Sequence, residues 1–267
     1  MVRPASYGGR WAAVVAGGSS GIGYASARRL VEAGAEVVLG GINEREVSSA
    51  VEALASEGAT VHGFSGDLSQ PDAAKHLIEV GARDAPLRVL VNSVGIQRYG
   101  TAEETSVELW DQVQRVNVRT AFLLAKFAIP EMRSGGGGAI VNVASVQAFA
   151  TQASVVAYTS SKAALVGLTR ALAVDHARDN IRANVVCPGS VRTPMLESAA
   201  ALFAPAGEAD QLMAKWGAMH PMGRVADADE VAEAVWFLAS PQSSFITGSE
   251  LKVDGGLLAA IGVPLED

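Results

Sequence analysis

The sequence predicts an α/β protein in which helices cover both faces of a parallel sheet. Short runs of β-branched residues alternate with longer segments rich in Ala and Leu along the whole chain, which is typical of successive βαβ units. Two strand candidates, 89–91 and 140–143, are almost continuously apolar, as expected of strands buried on both faces. No repeat of about 20–50 residues and no low-complexity linker divides the chain, so residues 1–267 are predicted to form one domain.

The individual elements follow from that alternation. The strands are predicted at 11–16, 36–40, 60–65, 89–92, 139–143, 181–186 and 250–253. The helices are predicted at 22–33, 43–56, 71–82, 106–133, 154–178 and 228–239. Pro130 lies inside the fourth helical pattern and is expected to kink or end that helix, because proline has no N–H and its ring clashes with the preceding turn.

Residues 193–222 do not fit the alternation. The segment contains Pro194, Pro205 and Pro221 among isolated large side chains such as Met195. Long irregular segments inside a compact domain are usually functional, so we expect a mobile flap over the site; a disordered surface excursion is the alternative.

Composition excludes several classes of function. The 267 residues carry 21 Lys and Arg against 28 Asp and Glu, a net charge of −7, and no run of basic residues, so a nucleic-acid partner is not expected. Hydrophobic residues make up 49 %, but none of their runs approaches the ~18 residues of a membrane-spanning helix. The apolar run 10–16 passes directly into glycines without a cleavage context, which indicates a buried strand and not a signal peptide.

Cysteine and histidine usage favours a cytoplasmic protein without a metal site. Cys187 is the single cysteine, so no intrachain disulfide can form, and its neighbours Val185 and Val186 favour a packed, unreactive thiol. The four histidines show no metal-ligand spacing. They are His62, His76, His176 and His220.

A glycine-rich loop follows the first strand. Gly17, Gly21 and Gly23 occupy the spacing G-x-x-x-G-x-G directly before a predicted helix. Glycine lets a dinucleotide pyrophosphate approach the backbone, and the first N–H groups of a helix bind anions. The loop therefore predicts a dinucleotide site, although glycine-rich turns also occur for packing reasons.

Three residues farther along the chain indicate acid–base chemistry. Tyr158 and Lys162 stand four apart in a helical pattern and so share one face. A nearby ammonium is expected to lower the pKa of the phenol below ~10, as a general acid/base near neutrality requires. The same spacing is also that of an ordinary solvated helix face. Ser145 follows a buried strand, at the carboxyl edge of the sheet where ligands of open α/β folds bind.

Together these motifs resemble those of the short-chain dehydrogenase/reductase family over nearly the whole chain. Residues 17–23 are similar to its glycine loop, with Ala16 in place of a threonine, and 92–95 are similar to its Asn-Asn-Ala-Gly segment at two of four positions. The catalytic tetrad of the family is matched by Asn117, Ser145, Tyr158 and Lys162. Residues 188–193 look like its nicotinamide-contacting segment, and 245–256 resemble its C-terminal motif.

The resemblance implies a seven-stranded Rossmann-type, doubly wound sheet that binds NAD(P) and transfers a hydride between nicotinamide and a secondary alcohol or ketone. Ser145 would hydrogen-bond the substrate oxygen, Tyr158 would transfer its proton, and Lys162 would lower the tyrosine pKa and hold the nicotinamide ribose. Asn117 would support an arrangement of water and backbone groups that links Lys162 to solvent. The cofactor contacts of the family fall on Gly17, Ser19, Ser20, Gly21, Ile22, Gly23, Gly41, Ile42, Asp67, Leu68, Asn92, Ser93, Val94, Gly95, Val116, Tyr158, Lys162, Pro188, Gly189, Val191 and Thr193.

The adenosine end departs from the family pattern for NAD. Gly41 stands where an acid would bind the ribose and repel a 2′-phosphate. The bases typical of NADP binding are missing at Ser20 and Ile42, although Arg45 could reach a phosphate. Together these residues weakly favour NADP, and NAD stays an alternative. Asp67 has two interpretations, an acceptor for the adenine amine or part of a helix N-cap region.

The substrate is less closely defined. The predicted substrate contacts are Gln97, Gln147, Gln152 and Met195, and the three amides suit a hydroxylated ring such as a sugar, a polyol or a small cyclic carbinol. A 3-oxoacyl thioester is the main alternative. A non-catalytic dinucleotide sensor would be expected to lack the tyrosine or the lysine, and an epimerase or dehydratase would carry a larger C-terminal region. The resemblance also implies a homotetramer.

Overall fold

The structure is a computed structural model that describes residues 7–55 and 58–261. Its strands are β1 (Ala12–Ala16), β2 (Glu36–Gly41), β3 (Val61–Ser65), β4 (Leu87–Asn92), β5 (Gly138–Val143), β6 (Ile181–Pro188) and β7 (Glu250–Val253). They form one parallel sheet in the order β3-β2-β1-β4-β5-β6-β7. The predicted α/β fold with a seven-stranded parallel sheet is therefore confirmed, and each strand ends within two residues of its predicted bounds.

Nine α-helices lie in the described part of the chain. They are α1 (Gly21–Glu32), α2 (Glu44–Ala55), α3 (Pro71–Gly81), α4 (Val107–Gln114), α5 (Thr120–Ser134), α6 (Val156–His176), α7 (Pro194–Phe203), α8 (Ala209–Ala218) and α9 (Ala228–Ala239). The predicted end of the second helix, residue 56, lies outside the described residues. Within those ranges, none of the helices combines the length and the apolar character that crossing a bilayer requires.

Each face of the sheet has its own apolar core, because successive side chains of a strand point to opposite faces. On one face, α1, α2 and α9 pack over residues such as Val15 and Leu39. On the other face, α3, α5 and α6 pack over residues such as Val14 and Ile140. The chain proceeds from β1 to β2 and β3 on one side and then returns to β4 on the other, and this reversal opens a crevice beyond the carboxyl ends of β1 and β4.

The helix predicted over 106–133 is confirmed to within one residue at each end, with a π-helical turn inside it. A π-helical turn, Arg115–Arg119, separates α4 from α5 and contains the fully buried Asn117. Pro130 lies inside α5 and does not end it. The buried side chains of Ile129 and Met132 hold this part of α5 against the sheet, and we infer that their burial outweighs the hydrogen bond that proline cannot make.

The prediction of an irregular flap at 193–222 is wrong for most of its length, because α7 and α8 lie within it. Pro194 occupies the first turn of α7, where the backbone N–H has no partner in the helix. The hydroxyl of Thr193 caps this helix by accepting a hydrogen bond from the Leu196 N–H at 3.4 Å. Movement of the flap stays a prediction.

Arg182, near the start of β6, anchors the carboxyl end of α9. Its guanidinium donates to the carbonyl oxygens of Leu238 and Ser240 at 2.7 and 3.0 Å and to Ser243 Oγ at 2.8 Å. Carbonyl groups in the last turn of a helix have no partner within the helix. This side chain therefore supplies donors that the end of α9 lacks.

We predict that Arg182→Met lowers the free energy of unfolding by about 1–3 kcal/mol, because the buried carbonyl groups of Leu238, Ala239 and Ser240 lose a charged donor and keep only the hydroxyl groups of Ser243 and Tyr7. Arg170→Met is the matched control: it removes a largely exposed ion pair with Glu250 and should leave the urea midpoint nearly unchanged. Urea denaturation of both variants checks the prediction. Equal midpoints for the two variants would show that the end of α9 does not need Arg182.

Candidate active site

A cavity of about 1130 Å³ lies at the carboxyl edge of the sheet, at the reversal between β1 and β4. One end is lined by the glycine loop and by the residues that follow β2 and β3; the other end is lined by Ser145, Tyr158 and helices α7 and α8. The predicted cofactor residues that line it are Gly17, Ser19, Ser20, Gly21, Ile22, Gly41, Ile42, Asp67, Leu68, Ser93, Val94, Gly95, Val116, Tyr158, Lys162, Pro188, Gly189, Val191 and Thr193.

The glycine loop needs glycine for packing as well as for ligand access. Gly17 has φ +73°, and a β-carbon there would lie 2.9 Å from the backbone of Ser93. A β-carbon at Gly23 would lie 1.9 Å from the Gly17 carbonyl oxygen, so α1 can lie against the loop only without one. Gly23 does not line the cavity.

The amino terminus of α1 faces the cavity and suits an anion. Ser20 is its N-cap residue, and the Ser20 hydroxyl makes no capping hydrogen bond. The first turn of α1 contains no acidic residue. Because the first N–H groups of a helix have no partner and carry a partial positive charge, this end fits a pyrophosphate.

The end of the cavity that is predicted to bind adenosine is formed by the residues that follow β2 and β3. Gly41 is buried, and a β-carbon there would lie 2.7 Å from Val47, so a larger residue would displace that side chain. Asp67 lines the cavity, and its Oδ1 accepts hydrogen bonds from the N–H and the hydroxyl of Ser69 at 3.0 and 2.7 Å. Burial acts to raise the pKa of Asp67, but these hydrogen bonds outweigh it and the net shift is downward. Asp67 thus has the local turn contacts expected of a residue preceding a helix and also lines the cavity.

Ser145, Tyr158 and Lys162 converge at the other end. Ser145 is the second residue after β5, and its Oγ accepts a hydrogen bond from the Gln147 N–H at 3.1 Å. Tyr158 and Lys162 lie in the first two turns of α6 and are only 7 % and 4 % exposed. The lysine Nζ donates to the Val143 carbonyl oxygen at 2.9 Å and lies 5.4 Å from the centre of the tyrosine ring. The two side chains therefore share a buried face of α6, not a solvated one.

The expectation that Lys162 alone lowers the pKa of Tyr158 below its ordinary value is wrong for this structure. Burial raises the pKa of Tyr158 to about 12; a hydrogen bond with Ser145 lowers it and the charge of Tyr99 raises it, both by less. Burial also lowers the pKa of Lys162, to about 8. Removing both groups from water disfavours phenolate and ammonium alike, and this cost exceeds their attraction.

Asn117 lies behind the cavity wall and not at its surface. Its Oδ1 accepts from the Ile96 N–H at 2.8 Å, and its Nδ2 donates to the Ile96 carbonyl at 3.0 Å and to Ser161 Oγ at 2.9 Å. Its side chain therefore joins the segment after β4 to α6. A β-carbon at Gly95 would come within 3.3 Å of the Lys162 Nζ, so this segment passes directly over the amine.

Asn92 also lies outside the cavity lining. It is buried at the end of β4, and its amide donates to Asn142 Oδ1 on β5 at 3.5 Å. The Asn142 amide in turn donates to Thr169 Oγ1 on α6 at 2.8 Å. In this structure Asn92 belongs to a buried polar chain that joins the strands to α6.

All four predicted substrate residues line the cavity. Gln147 Nε2 donates to Gln152 Oε1 at 3.3 Å, so these two amides are neighbours. Sequence reasoning missed many further lining residues, among them five with large polar or aromatic side chains. They are Glu46, Tyr99, Phe203, Trp216 and His220. The rings of Tyr99 and Phe203 meet edge to face at 4.7 Å, which joins the segment after β4 to the flap. The sequence carried no spacing signal for these side chains, because separate elements bring them together.

The cysteine and histidine predictions have different outcomes. The thiol of Cys187 is fully buried, as predicted, and burial raises its pKa to about 11, so it stays protonated near neutrality. His220, for which the sequence predicted no role, is also buried and lies at the cavity wall. Within 7–55 and 58–261, no three His, Cys, Asp or Glu side chains form a cluster that could hold a metal ion.

A glycine loop at a helix amino terminus and a Ser, Tyr and Lys group in one crevice of a doubly wound sheet define an oxidoreductase of the dinucleotide-binding class. The family model described as Enoyl-(Acyl carrier protein) reductase matches residues 16–258. The chain belongs to the short-chain dehydrogenase/reductase family, whose enzymes act on CH–OH and C=O groups, and the family implies a nicotinamide dinucleotide cofactor.

Relatives match over nearly their full length. An uncharacterized oxidoreductase of Thermotoga maritima is 38 % identical over 92 % of this chain and 96 % of its own. The cis-4-hydroxycyclohexanecarboxylate dehydrogenase of Sinomonas cyclohexanicum is 37 % identical over the same shares. The ligand-free structure of Thermoplasma acidophilum aldohexose dehydrogenase superposes with a TM-score of 0.87 at 35 % identity, over 97 % of both chains.

We predict that Lys162→Met abolishes turnover and raises the free energy of unfolding at pH 7 by up to about 3 kcal/mol, because it removes a buried charge. The pKa of Lys162 falls from 10.5 to about 8 on folding, so the cost is fully present below pH 8 and disappears as the pH rises to 10.5. The stabilisation should shrink over that range. Urea unfolding at several pH values measures it, with Lys126→Met, at an exposed position, as the control. A loss of stability at pH 7 would contradict the prediction.

Proposed function

We propose that this enzyme transfers a hydride between a nicotinamide dinucleotide and a secondary carbinol, or the corresponding ketone, on a hydroxylated ring such as a sugar, a polyol or a small cyclic carbinol. The convergence of Ser145, Tyr158 and Lys162 at the end of the cavity opposite the glycine loop carries this proposal. With this arrangement, proton transfer and dinucleotide binding share one continuous cavity. A non-catalytic sensor would not need a buried amine beside a buried phenol.

The proposed chemistry follows from the protonation states of these side chains. With a pKa of about 12, the Tyr158 phenol holds its proton near neutrality and can donate it to a substrate oxygen in the direction of reduction. Ser145 hydrogen-bonds that oxygen and the phenol. Lys162, with a pKa of about 8, exchanges protons near neutrality and favours the phenolate when it is charged. The nicotinamide, when bound, supplies or accepts the hydride.

The residues present fit such a cofactor. The amino terminus of α1 takes the pyrophosphate, and the pocket beside Gly41 and Asp67 takes the adenosine. The segment from Pro188 to Thr193 lines the cavity beside the catalytic group and holds the nicotinamide. The roles of these residues, like that of Asn117 as a support for Lys162, are part of the proposal.

The substrate class rests on the polar side chains at the reacting end and on the relatives. Gln97, Gln147 and Gln152 offer amide donors and acceptors opposite the apolar Met195 and Trp216, an arrangement suited to a ring with several hydroxyls. Two relatives are named for ring substrates, a hydroxycyclohexanecarboxylate and an aldohexose. A 3-oxoacyl thioester is the second candidate, because a 34 % identical relative from Chlamydia muridarum is named as a 3-oxoacyl-[acyl-carrier-protein] reductase.

One observation in the structure argues against the NADP preference that the sequence favours. Arg45, the basic residue that would reach a 2′-phosphate, does not line the cavity, whereas Glu46 does. A carboxylate beside the ribose repels a phosphate dianion. We therefore favour NAD as the preferred cofactor. A cytoplasmic location and a homotetramer stay predictions.

Replacing the phenol tests the catalytic assignment. Tyr158→Phe should lower kcat by at least about a hundredfold, because the proton donor is lost, and should leave NADH affinity unchanged. Tyr24→Phe, on α1 and outside the cavity lining, is the matched control and should keep full activity. Initial rates and NADH fluorescence titration measure the two quantities. Normal turnover by Tyr158→Phe would remove the proposed mechanism.

A substrate panel accompanies that variant. It compares cyclic carbinols, polyols, aldoses and 3-oxoacyl thioesters by the absorbance of the reduced nicotinamide. Turnover confined to thioesters would replace the proposed substrate class with the second candidate. Dinucleotide binding without turnover of any substrate would favour the sensor.

Cofactor preference has its own test. Wild-type enzyme should show a higher kcat/KM with NAD than with NADP, and Glu46→Gln should reduce that ratio by about three- to tenfold, because it removes the repulsion. Glu44→Gln changes the same charge in the same helical turn but outside the cavity, and should leave the ratio unchanged. A wild-type preference for NADP would overturn the assignment.

A further inference from the structure

His220 lies where three segments of the chain meet. It follows α8 and is only 4 % exposed. Its Nε2 lies 3.1 Å from the backbone nitrogen of Ser190, in the segment between β6 and α7. Its Nδ1 lies 3.0 Å from the carbonyl oxygen of Trp216 on α8. The imidazole therefore connects the segment beside the catalytic group to the flap.

The partners determine which nitrogen carries the proton. The Ser190 N–H can only donate, so the Nε2 of His220 must accept. The Trp216 carbonyl can only accept, so Nδ1 must carry the hydrogen. One neutral tautomer satisfies both contacts at once, and no apolar side chain can replace either.

The surrounding backbone leaves room for this ring. A β-carbon at Gly189 would lie 2.6 Å from the His220 Nε2, and one at Gly255 would lie 3.4 Å from the His220 β-carbon. The Met222 N–H donates to the Gly255 carbonyl at 3.1 Å, which holds the chain after the histidine against the segment that follows β7. The ring is thus enclosed by glycine positions on two sides.

The residues at both ends of the His220 connection line the cavity, but they lie beside the proposed sites of different ligands. Gly189 and Ser190 belong to the segment assigned above to the nicotinamide, whereas Trp216 faces the substrate end from α8. We propose that His220 is a positioning residue that couples the two, so that dinucleotide binding to the 188–193 segment holds α8 closed over the substrate. The proposal rests on the proposed function only for the identity of the dinucleotide.

Two variants separate hydrogen bonding from packing. His220→Leu keeps much of the side-chain volume and leaves the Ser190 N–H without its acceptor. His220→Gln restores an acceptor and a donor on a flexible chain. His176→Leu is the control, because His176 ends α6, about 27 Å along the helix from Tyr158.

The readout is trypsin cleavage at Lys215, which is exposed on α8, with and without saturating NADH or NADPH, followed by mass spectrometry. The dinucleotide should slow cleavage in the wild type, His176→Leu and His220→Gln, and should not slow it in His220→Leu. Dinucleotide affinity, measured by fluorescence titration, should fall about three- to tenfold in His220→Leu alone. With saturating dinucleotide, KM for the substrate should rise in His220→Leu more than kcat falls.

Three outcomes would overturn the coupling. In the first, the dinucleotide protects Lys215 in His220→Leu as well as in the wild type. In the second, the leucine and glutamine variants lose protection equally. In the third, the wild type binds dinucleotide but Lys215 is not protected. Protection that follows the predicted order without turnover of any substrate would support the coupling and reject only the proposed reaction. A wild type that binds neither dinucleotide would reject both.

Discussion

The active site depends on a buried amine held by one backbone carbonyl. Lys162 on α6 donates to Val143 at the end of β5, and this contact joins α6 to the edge of the sheet. Tyr158, one turn earlier on the same face, is thereby placed beside Ser145, the second residue after β5. Burying an amine costs stability, because water solvates the charged form better than the protein does. The fold retains this loss of stability at the position proposed for proton transfer.

Neighbouring elements are shaped around that amine. Gly95 lacks a β-carbon where the chain crosses it, and the π-helical turn between α4 and α5 places Asn117 so that its amide binds both groups of the Ile96 backbone. A π-helical turn is costly in an ordinary helix and is found often at functional sites. Here it lies between α4, which packs against α6, and α5, which packs on the sheet, and one of its side chains turns toward α6. The wall formed by α7 and α8 is joined to the segment after β6 by a half-buried hydrogen bond between His220 and the Ser190 N–H.

Much of the architecture could be predicted from local pattern. The apolar strands and amphipathic helices alternate plainly, and within the described residues their predicted ends differ from the observed ones by at most two residues, because single hydrogen bonds determine where helices and strands end. The errors share a cause. Pro194 indicates a break in sequence but occupies a first helical turn, and Pro130 is tolerated because its neighbours pack on the sheet. In both cases the environment, not the residue type, decides the outcome.

The sequence by itself determined the order of the elements, the glycine loop and the spacing of Ser145, Tyr158 and Lys162, because these depend on residue type and on positions close together in the chain. Only the tertiary structure decided the protonation behaviour of the tyrosine and the lysine, since their pKa values depend on how much water the packed helix and sheet exclude. It also brought Glu46, Tyr99 and His220 to the cavity. These residues come from separate segments, and their proximity arises from the winding of the sheet, which no short stretch of sequence encodes.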